Sequence, residues 1–530
     1  MSDSVSLLQK IHKAFLGFSL RAEKTDHEDL LVKTFVDSAP LLDLIESSNS
    51  QIIYGRRGTG KTHALKYVAN SIIQRGEQAI YIDLRSVGSN TSIYNNFSRS
   101  LSQRASLLIN DVLEAILNNL YPIAVAALDN APDGNQITLR LDDFQASLSE
   151  IRIHGAAENT QTVQMQRAKK HTSGIHASIT TATLNAERED TISRDETLKT
   201  SATGQEFIHV DFGRIQSSLE GLLPVMNIKR LWVFIDEWSE IPLELQPYLA
   251  DLIRRTFLPT TNVIVKIASI EHRSSFSLSK GNGEYIGLEL GADISANLTL
   301  DDYLVFDSNE QKSIQFFKRM IFNHYKVSDH FDSAVSTEDQ LVQIAFTQQN
   351  AFIEFVRAVE GVPRDALNLC AVLATKAFGQ KISINDVTSA SLDWYQRDKA
   401  VATKSDEILS NVLMIIINEV IGERRSRAFL FSNMMRHPMI ERLFDARLLH
   451  ILKKNISSKD EPGVRYDVFK IDYGCYVSLR NTDKAPLGLF QADDEYIEVP
   501  RDDYRSIRRA ILPPELLNEV TSSVRAEHQQ

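Results

Sequence analysis

The residues with the most specific chemistry are the eight from Gly55 to Thr62, which read Gly-Arg-Arg-Gly-Thr-Gly-Lys-Thr. Glycines at these positions let the backbone curl until successive N–H groups face one point, where they can donate hydrogen bonds to phosphate oxygens. The spacing predicts that Lys61 reaches the β- and γ-phosphates of a nucleoside triphosphate, and that the Thr62 hydroxyl binds Mg²⁺. The expected nucleotide-binding residues of this segment are Gly55, Arg56, Arg57, Gly58, Thr59, Gly60, Lys61, Thr62 and His63. The alternative is a Gly-rich turn before an ordinary helix.

The flanking residues predict the strand and the helix that such a loop needs. Residues 51–54 read as a short buried strand, and a helix with one apolar face begins at Lys61. A second strand is predicted over residues 78–84, after a turn at Arg75-Gly76. We therefore expect the loop inside a strand–helix–strand unit of a parallel sheet.

An acidic pair follows a third predicted strand. The five consecutive apolar residues 231–235 indicate a central parallel strand that is covered on both faces, and Asp236 and Glu237 come directly after it. Ligands of open α/β sheets bind beyond the carboxyl ends of the strands. Asp236 is therefore expected to hold the magnesium ion, and Glu237 to orient and polarise the attacking water. A solvated turn or a helix N-cap is the alternative.

A fourth strand, predicted over residues 263–270, is followed by two further candidates. Ser269 is expected to emerge beside the γ-phosphate and sense hydrolysis. Arg273 is a candidate to neutralise the transition state, either within its own subunit or toward a neighbour. Arg254 and Arg255, at the end of the preceding helix, are weaker candidates for the same role, and an ordinary surface arginine is the alternative.

Arg364 lies in the first turn of a predicted helix that Gly361-Val362-Pro363 opens. A cation is disfavoured there by the helix macrodipole, so we expect an anion nearby. A bound nucleotide phosphate is one such anion. Local pairing with Glu360 or Asp365 is the other.

Length, composition and charge limit the classes of protein to which this chain can belong. The chain has 530 residues, of which 43% are hydrophobic and 24% charged, as in ordinary globular proteins. At roughly 150 residues per domain this length predicts three or four units, and no apolar run reaches the roughly 18 residues that a membrane span needs. The N-terminus has no secretory pattern and only two cysteines occur, Cys370 and Cys475, so a cytoplasmic location is expected. A net charge of −11 means that any contact with nucleic acid needs a local basic patch.

Between the second and third strands the pattern changes twice. Residues 95–127 have a helical period, whereas residues 151–203 alternate, and residues 163–179 among them read as a β-hairpin. The tip of this hairpin would carry Arg167, Lys169, Lys170 and His171. A disordered polar excursion is the alternative. Residues 310–378 read as helices, and an α+β unit begins near residue 406.

These motifs together resemble the AAA+ superfamily. The loop at 55–62, the strand and acids at 231–237 and the strand ending near Ser269 carry the general resemblance. The Gly-Val-Pro-Arg sequence at 361–364 resembles the origin-recognition and replication-initiator branch and its signalling relatives. The resemblance covers about residues 35–387. It implies ATP and Mg²⁺ as cofactors and assembly into rings or filaments whose sites a neighbouring subunit completes. The roles that it implies are Walker A for Lys61 and Thr62, Walker B for Asp236 and Glu237, sensor 1 for Ser269 and sensor 2 for Arg364.

Two features depart from the family pattern. The 175 positions from Lys61 to Asp236 exceed a compact core, so an insertion is expected at about 95–204, and Ser269 replaces the usual Asn or Thr. The expected fold class is α/β, a P-loop NTPase of AAA+ type with a parallel sheet, a helical lid, an inserted segment and a C-terminal α+β winged-helix-like domain. The expected domains are a helical leader over 1–34, the ATPase core over 35–300, the lid over 301–400 and the C-terminal domain over 401–530.

The C-terminal domain is expected because the initiator branch ends in a winged helix. Residues 427–455 give helical patterns, and residues 466–479 read as the two strands of a wing. Nearby basic residues are candidates for phosphate contacts: Arg424, Arg425, Arg427, Arg447, Lys453 and Lys454. The same fold also serves protein contacts, and the sequence does not decide between the two.

The predicted function is that of a Mg²⁺-dependent ATPase with Glu237, Lys61 and Arg273 as catalytic residues, Thr62 and Asp236 at the metal, and a cycle that switches assembly or partner engagement. Double-stranded DNA is the favoured partner besides ATP and further copies of the chain, an effector protein is another, and no membrane contact is expected. The large ATPase with its insertion also resembles modules of anti-phage defence systems. The main rival is an ATP-gated signalling protein with negligible turnover, and a small-molecule or nucleotide kinase is a third reading.

Overall fold

The computed structural model describes residues 2–18, 28–37, 40–88, 96, 98–128, 134–148, 150–155, 162–163, 204–281, 283–303, 309–434, 437–457, 463–480 and 510–518. The predicted hairpin tip, from Arg167 to His171, lies outside these residues.

Thirteen strands occur within the described residues. They are β1 (Gln51–Tyr54), β2 (Gln78–Asp83), β3 (Glu150–Gly155), β4 (Thr162–Val163), β5 (Gly204–His209), β6 (Leu231–Asp236), β7 (Val263–Ser269), β8 (Ser277–Gly281), β9 (Glu284–Gly287), β10 (Ser295–Thr299), β11 (Ala428–Ser432), β12 (Leu449–Ser457) and β13 (Arg465–Ile471).

The α-helices of the same described ranges are α1 (Ser2–Leu16), α2 (Glu28–Thr34), α3 (Leu41–Ile45), α4 (Lys61–Gln74), α5 (Leu101–Leu128), α6 (Gly134–Leu148), α7 (Phe212–Val225), α8 (Gln246–Leu252), α9 (Glu310–Lys326), α10 (Glu338–Ala345), α11 (Gln349–Ala358), α12 (Pro363–Lys376), α13 (Ile384–Trp394), α14 (Val401–Lys404), α15 (Glu407–Ile416), α16 (Pro438–Asp445) and α17 (Tyr473–Arg480). Three π-helical segments continue helices, at Ile253–Phe257, Tyr395–Lys399 and Ile417–Glu423.

The main sheet of the described residues is five-stranded and parallel, with the order β10-β1-β7-β6-β2. Every residue of β1, β6 and β7 is buried, as expected for parallel strands covered on both faces. Successive residues face opposite sides, so Ile52 and Val233 join one core, with α5, α7 and α8, while Ile53 and Phe234 join another, with α3 and α4. The carboxyl ends of β1, β7, β6 and β2 therefore meet at one edge, where the acidic pair and the loop lie.

Between β2 and β6 the chain adds α5, α6 and a three-stranded antiparallel sheet with the order β4-β3-β5. The predicted helix over 95–127 is observed as α5, which packs into the main core through residues such as Leu108, Val112 and Leu113. Of the described helices, α5 alone is long and apolar enough to span a membrane. A helix that packs into a protein core has the same composition, so this property indicates little by itself.

Helices α9 to α13 form a lid with its own core. Residues such as Phe317, Phe352 and Leu373 fill this core, and Ile11 and Phe15 of α1 pack into it from the N-terminal end of the chain. The lid helix α12 begins at Pro363 after Gly361, which has a φ of 75°. Arg364 therefore lies in the first turn of α12, as the sequence predicts.

The C-terminal domain combines α15, α16 and an antiparallel sheet with the order β11-β13-β12. The predicted wing over 466–479 is wrong in its second half, because residues 473–480 form α17. The helix follows from Asp472, whose carboxylate accepts the N–H of Gly474 at 3.0 Å in the manner of a helix cap. The wing strands are instead β12 and β13. Residues 428–432 and 449–455, both predicted as helical, instead form strands that pair with β13, and this tertiary pairing overrides the leucine spacing of the second segment.

Candidate nucleotide-binding site

The loop after β1 is curled by two glycines in the left-handed region. Gly58 has a φ of 91° and Gly60 a φ of 96°, conformations that other residues rarely adopt. A Cβ on Gly58 would also lie 2.9 Å from the Cβ of Arg364, so the loop and the lid helix could not approach as closely with any larger residue. The N–H of Arg364 donates to the Gly58 carbonyl at 3.1 Å and ties the lid to the loop. The predicted conformation of a phosphate-binding loop is therefore present.

Lys61 begins α4 at the mouth of this loop. Its buried ammonium donates to the carbonyls of Gly55 at 2.8 Å and Arg56 at 3.1 Å. Burial lowers the pKa of Lys61, and the nearby carboxylates of Asp236 and Glu237 partly oppose this effect. An anion bound in the loop would favour the charged form of the lysine in the same way as these carboxylates.

Asp236 is completely buried at the end of β6 and accepts three hydrogen bonds. Its Oδ2 atom accepts from the Thr62 hydroxyl at 2.7 Å and from the Tyr81 hydroxyl at 2.5 Å, and its Oδ1 atom accepts from the Glu237 N–H at 2.8 Å. Thr62 and Asp236 are thus brought together as the sequence predicts. Mg²⁺ typically binds through one or two protein oxygens together with substrate phosphates, so this pair of groups fits the ion. Within the described ranges, no cluster of three or more His, Cys, Asp or Glu residues offers a separate metal site.

Tyr81 is a functional candidate that the motifs did not reveal. It lies on β2 opposite Phe234 of β6, two residues before the end of the strand. Burial and the Asp236 carboxylate raise the pKa of its hydroxyl, which therefore stays protonated and donates. Its position near the carboxyl end of a strand next to β6 is the signal that could have identified it.

Glu237 follows with a φ of 56° and a ψ of 39°, a left-handed conformation that is unfavourable for a residue with a side chain. Burial and the neighbouring Asp236 raise the pKa of Glu237. The guanidinium of Arg85 lies 3.6 Å from its carboxylate and 2.6 Å from that of Asp83. Arg85 was also missed. It follows β2 at the same edge of the sheet, and this placement was its only signal.

Lys61, Thr62 and Glu237 line a cavity of about 650 Å³. Its polar lining also includes the other loop residues from Arg57 to His63, together with Arg85 and Arg364. Apolar groups on or next to α1, α2 and α9 line it as well, among them Phe18, Leu31 and Phe316. Such a combination suits a ligand with a charged end and a planar apolar end. Of the predicted binding residues, Gly55, Arg56 and Ser269 do not line this cavity, and Asp236 lies next to it through its hydrogen bond to Thr62.

Of the histidines that line the cavity, His63 and His324 are neutral rings. His63 contacts the carbonyl of Leu31 at 2.7 Å, and burial lowers its pKa. Burial also lowers the pKa of His324, to about 3. His63 therefore links α4 to α2 rather than contributing a charge to the phosphate end.

Ser269 and Arg273 lie outside the cavity. The Ser269 hydroxyl is buried and contacts those of Ser239, at 3.3 Å, and Ser274. The Arg273 side chain donates to Asp445 of the C-terminal domain at 2.8 Å. The structure thus brings Lys61, Thr62, Glu237 and Arg364 to one cavity and Asp236 into contact with Thr62, whereas the roles predicted for Ser269 and Arg273 stay predictions.

The acids suggested as local partners of Arg364 have other contacts. Asp365 pairs with Arg447 and, at 3.2 Å, with Lys399. Glu360 pairs with Lys470 at 3.2 Å. A ligand anion and local pairing therefore both stay open as the reason for a cation in the first turn of α12.

Comparisons with known proteins were made by family model, by sequence and by structure. No curated protein matches the chain. Among solved structures, the Aeropyrum pernix ORC1 protein in complex with DNA matches at 11% sequence identity over 89% of this chain and 96% of that chain, with a TM-score of 0.30. A likeness at this TM-score indicates nothing about ligands or partners. The family model named ORC-CDC6-like matches residues 18–295, more than half of the sequence. The predicted resemblance and the α/β P-loop AAA+ fold class are thereby confirmed, and the chain belongs to the ORC-CDC6-like family.

Proposed function

We propose that this protein is a Mg²⁺-dependent ATPase whose nucleotide cycle switches its assembly and the engagement of a partner by its C-terminal domain. The observation that carries the proposal is the convergence of Lys61, Thr62, Glu237 and Arg364 on one cavity, with Asp236 hydrogen-bonded to Thr62 beside it. This arrangement joins a phosphate cradle, a metal-binding pair, a base and a cation from the lid helix.

The side chains divide the chemistry among them. Lys61 and Arg364 would neutralise phosphate oxygens from two sides, and Thr62 and Asp236 would hold the magnesium ion, which screens charge that develops on the phosphates. Glu237 would accept a hydrogen bond from the attacking water, and its raised pKa makes it a stronger base than an exposed glutamate. Arg85, beside this carboxylate, is placed to hold it in position.

Homo-oligomers in the cytoplasm are the expected working form, with Arg273 acting either within its own subunit or toward a neighbouring site. DNA is the favoured partner because the chain belongs to a family named for origin-recognition proteins. The basic residues proposed for this contact are not equivalent. Arg425 and Lys453 are exposed, whereas Lys454 pairs with Glu271 of the ATPase core at 2.8 Å. An effector protein and a role in anti-phage defence are further parts of the proposal, and they rest on sequence resemblance alone.

A second candidate function is an ATP-gated protein switch with negligible turnover. The position of Ser269 favours it, because the hydroxyl contacts other serines and does not face the cavity. A sensor that does not reach the γ-phosphate would slow or abolish hydrolysis without affecting binding.

Replacing Glu237 by Gln separates the two functions. In the ATPase, Glu237→Gln should retain nucleotide binding and slow turnover by roughly 10² or more, because the substitution removes the base. Binding is measured with a fluorescent ATP analogue and turnover by phosphate release. Wild-type protein that binds ATP without measurable turnover would support the switch, and a variant that hydrolyses at the wild-type rate would remove Glu237 from the mechanism.

A further inference from the structure

The C-terminal domain rests directly on the phosphate-binding loop through Arg56. The guanidinium is buried and donates from Nη1 to the carbonyl of Leu449 and to Nδ1 of His450, both at 3.1 Å. Its central carbon lies 4.4 Å from the ring centre of Phe444. Leu449 and His450 begin β12 and Phe444 belongs to α16, so all three contacts are with the C-terminal domain.

Arg56 also fixes the shape of the loop itself. Its backbone N–H and its Nε atom donate to the two oxygens of Asp301, at 2.8 and 2.6 Å. Its carbonyl accepts from Lys61 at 3.1 Å and from the Thr59 hydroxyl at 2.9 Å. The residue that contacts the C-terminal domain is thus the same one that holds the phosphate-binding lysine, and a shift of its side chain would move that carbonyl.

A buried chain of polar contacts continues from His450 to the lid. Since Arg56 donates to Nδ1, the proton of the neutral imidazole lies on Nε2, which contacts Asp472 at 3.1 Å. Burial lowers the pKa of His450 to about 4, consistent with a neutral ring. Asp472 in turn accepts from Lys399 at 2.5 Å, and Lys399 lies 3.2 Å from Asp365, the neighbour of Arg364. The loop and the lid helix, which carry two halves of the nucleotide site, are therefore connected through the C-terminal domain.

Other ion pairs between the ATPase core and this domain involve side chains that are partly exposed: Lys454 pairs with Glu271 at 2.8 Å, with 27% and 34% of the two side chains exposed. Arg273 pairs with Asp445 with its side chain 45% exposed, and His272 lies 3.6 Å from Glu441. Exposed ion pairs stabilise little, because solvent screens them. The buried contact of Arg56 is therefore the one through which docking and loop shape can influence each other.

We propose that Arg56 is a positioning residue through which docking of the C-terminal domain organises the phosphate-binding loop for nucleotide. The inference rests on the proposed function and adds its regulation. A side chain that is anchored on two domains leaves the loop less freedom to lose on binding, so docking raises nucleotide affinity. By thermodynamic reciprocity, nucleotide strengthens docking by the same factor.

Arg56 is a poor first target for truncation. Its removal would leave the buried carboxylate of Asp301 without its cation and destabilise the fold. The contact is better tested from the other domain, with Phe444→Leu and His450→Gln, since neither residue lines the nucleotide cavity. In the full-length protein with Mg²⁺, each variant should bind a fluorescent ATP analogue roughly five- to tenfold more weakly, in the lower part of the range of such couplings.

Arg442→Gln is the matched control, because Arg442 lies on the same helix as Phe444 but pairs with Asp406 of its own domain at 2.5 Å. This variant should bind with wild-type affinity. A loss equal to that of His450→Gln would mean that any change in the C-terminal domain weakens binding, and would overturn the proposal.

Arg56→Lys completes a double-mutant cycle. Lysine keeps a cation beside Asp301 but cannot make the paired contacts with Leu449 and His450. His450→Gln should therefore weaken binding in the wild-type background and have little further effect in Arg56→Lys. Additive effects would show that His450 acts by another route and would refute the role of Arg56.

Hydrogen exchange supplies a readout that is independent of affinity. Nucleotide should protect the amides of residues 444–452 in the wild type and not in Arg56→Lys, whereas equal protection in both proteins would contradict the coupling. A failure of the proposed function is distinguishable from either result, because it would appear as wild-type protein that binds no nucleotide at all.

Discussion

Removing the Tyr81 hydroxyl tests whether the metal-binding carboxylate is positioned by a residue outside the recognised motifs. Tyr81→Phe keeps the ring but deletes the 2.5 Å hydrogen bond to Oδ2 of Asp236. A hydrogen bond to a charged group contributes about 1.5–3 kcal/mol to stability, which corresponds to a 10- to 100-fold change in an equilibrium. Residues that hydrogen-bond to metal ligands have effects of the same size on metal affinity.

The structure places the expected effect at the lower end of this range. Thr62 and the Glu237 N–H continue to donate to Asp236, so the carboxylate keeps two of its three partners. Tyr81 is only half-buried, and water can replace part of the lost contact. We therefore expect about a tenfold rise in the Mg²⁺ concentration that half-saturates the nucleotide-bound site.

The assay is a Mg²⁺ titration of nucleotide binding, with a parallel measurement in chelator. Affinity for nucleotide without the metal should be unchanged, since Tyr81 does not line the cavity. Tyr248→Phe, which removes a phenol hydroxyl on α8, is the matched control. Unchanged Mg²⁺ dependence in Tyr81→Phe, or an equal shift in Tyr248→Phe, would refute the assignment.

Three further predictions address the loop, the buried charges and the C-terminal domain. Lys61→Ala should abolish nucleotide binding or turnover, and unchanged hydrolysis in the pure variant would refute the site. Lys399→Met removes the cation between Asp365 and Asp472, whose side chains are 1% and 0% exposed, and should lower the free energy of unfolding by about 3–5 kcal/mol at neutral pH. Burial would raise the pKa of Asp472, but Lys399 and His450 lower it below the usual carboxyl value. The ionised carboxylate therefore stabilises the folded protein above the usual carboxyl pKa, and this contribution disappears as the pH falls. The loss in Lys399→Met should therefore shrink in acid, and a pH-independent loss in denaturant titrations would contradict this reasoning. Neutralising the exposed Arg425 and Lys453 should make DNA binding less dependent on salt, with the slope of log affinity against log salt concentration reduced by roughly one to two. No binding even at low salt would favour a protein partner.

The nucleotide site was predictable to the extent that its parts are local in sequence. The loop, the helix after it and the acidic pair each follow from a short run of residues, and all lie where the sequence places them. Tyr81 and Arg85 could not be assigned in this way. Their roles depend on β2 lying beside β6, a pairing that the spacing of residues does not contain.

In the C-terminal domain, too, contacts between segments distant in sequence decided what the sequence pattern left open. Its α+β character was predictable, but the order of elements was not, because Leu448, Leu449 and Leu452 fit a helical spacing as well as a buried strand. Pairing with β13 decides in favour of the strand. Tertiary structure likewise separates the cations predicted for DNA contact into exposed ones and ones with partners inside the protein, since Arg447 pairs with Asp365.

The two arginines of the loop show that a motif predicts the roles of the residues it specifies better than the roles of the residues between them. Arg56 and Arg57 are adjacent and were both expected at the nucleotide. Arg57 lines the cavity and pairs with Glu240 at 2.6 Å, whereas Arg56 extends to the opposite side of the loop and contacts the C-terminal domain. Neither direction follows from a pattern that specifies only glycine, lysine and a hydroxyl. Because a loop that binds phosphate must expose one side to the ligand, its other side is available for a second domain. A long cation at position 56 provides that contact without obstructing the cavity.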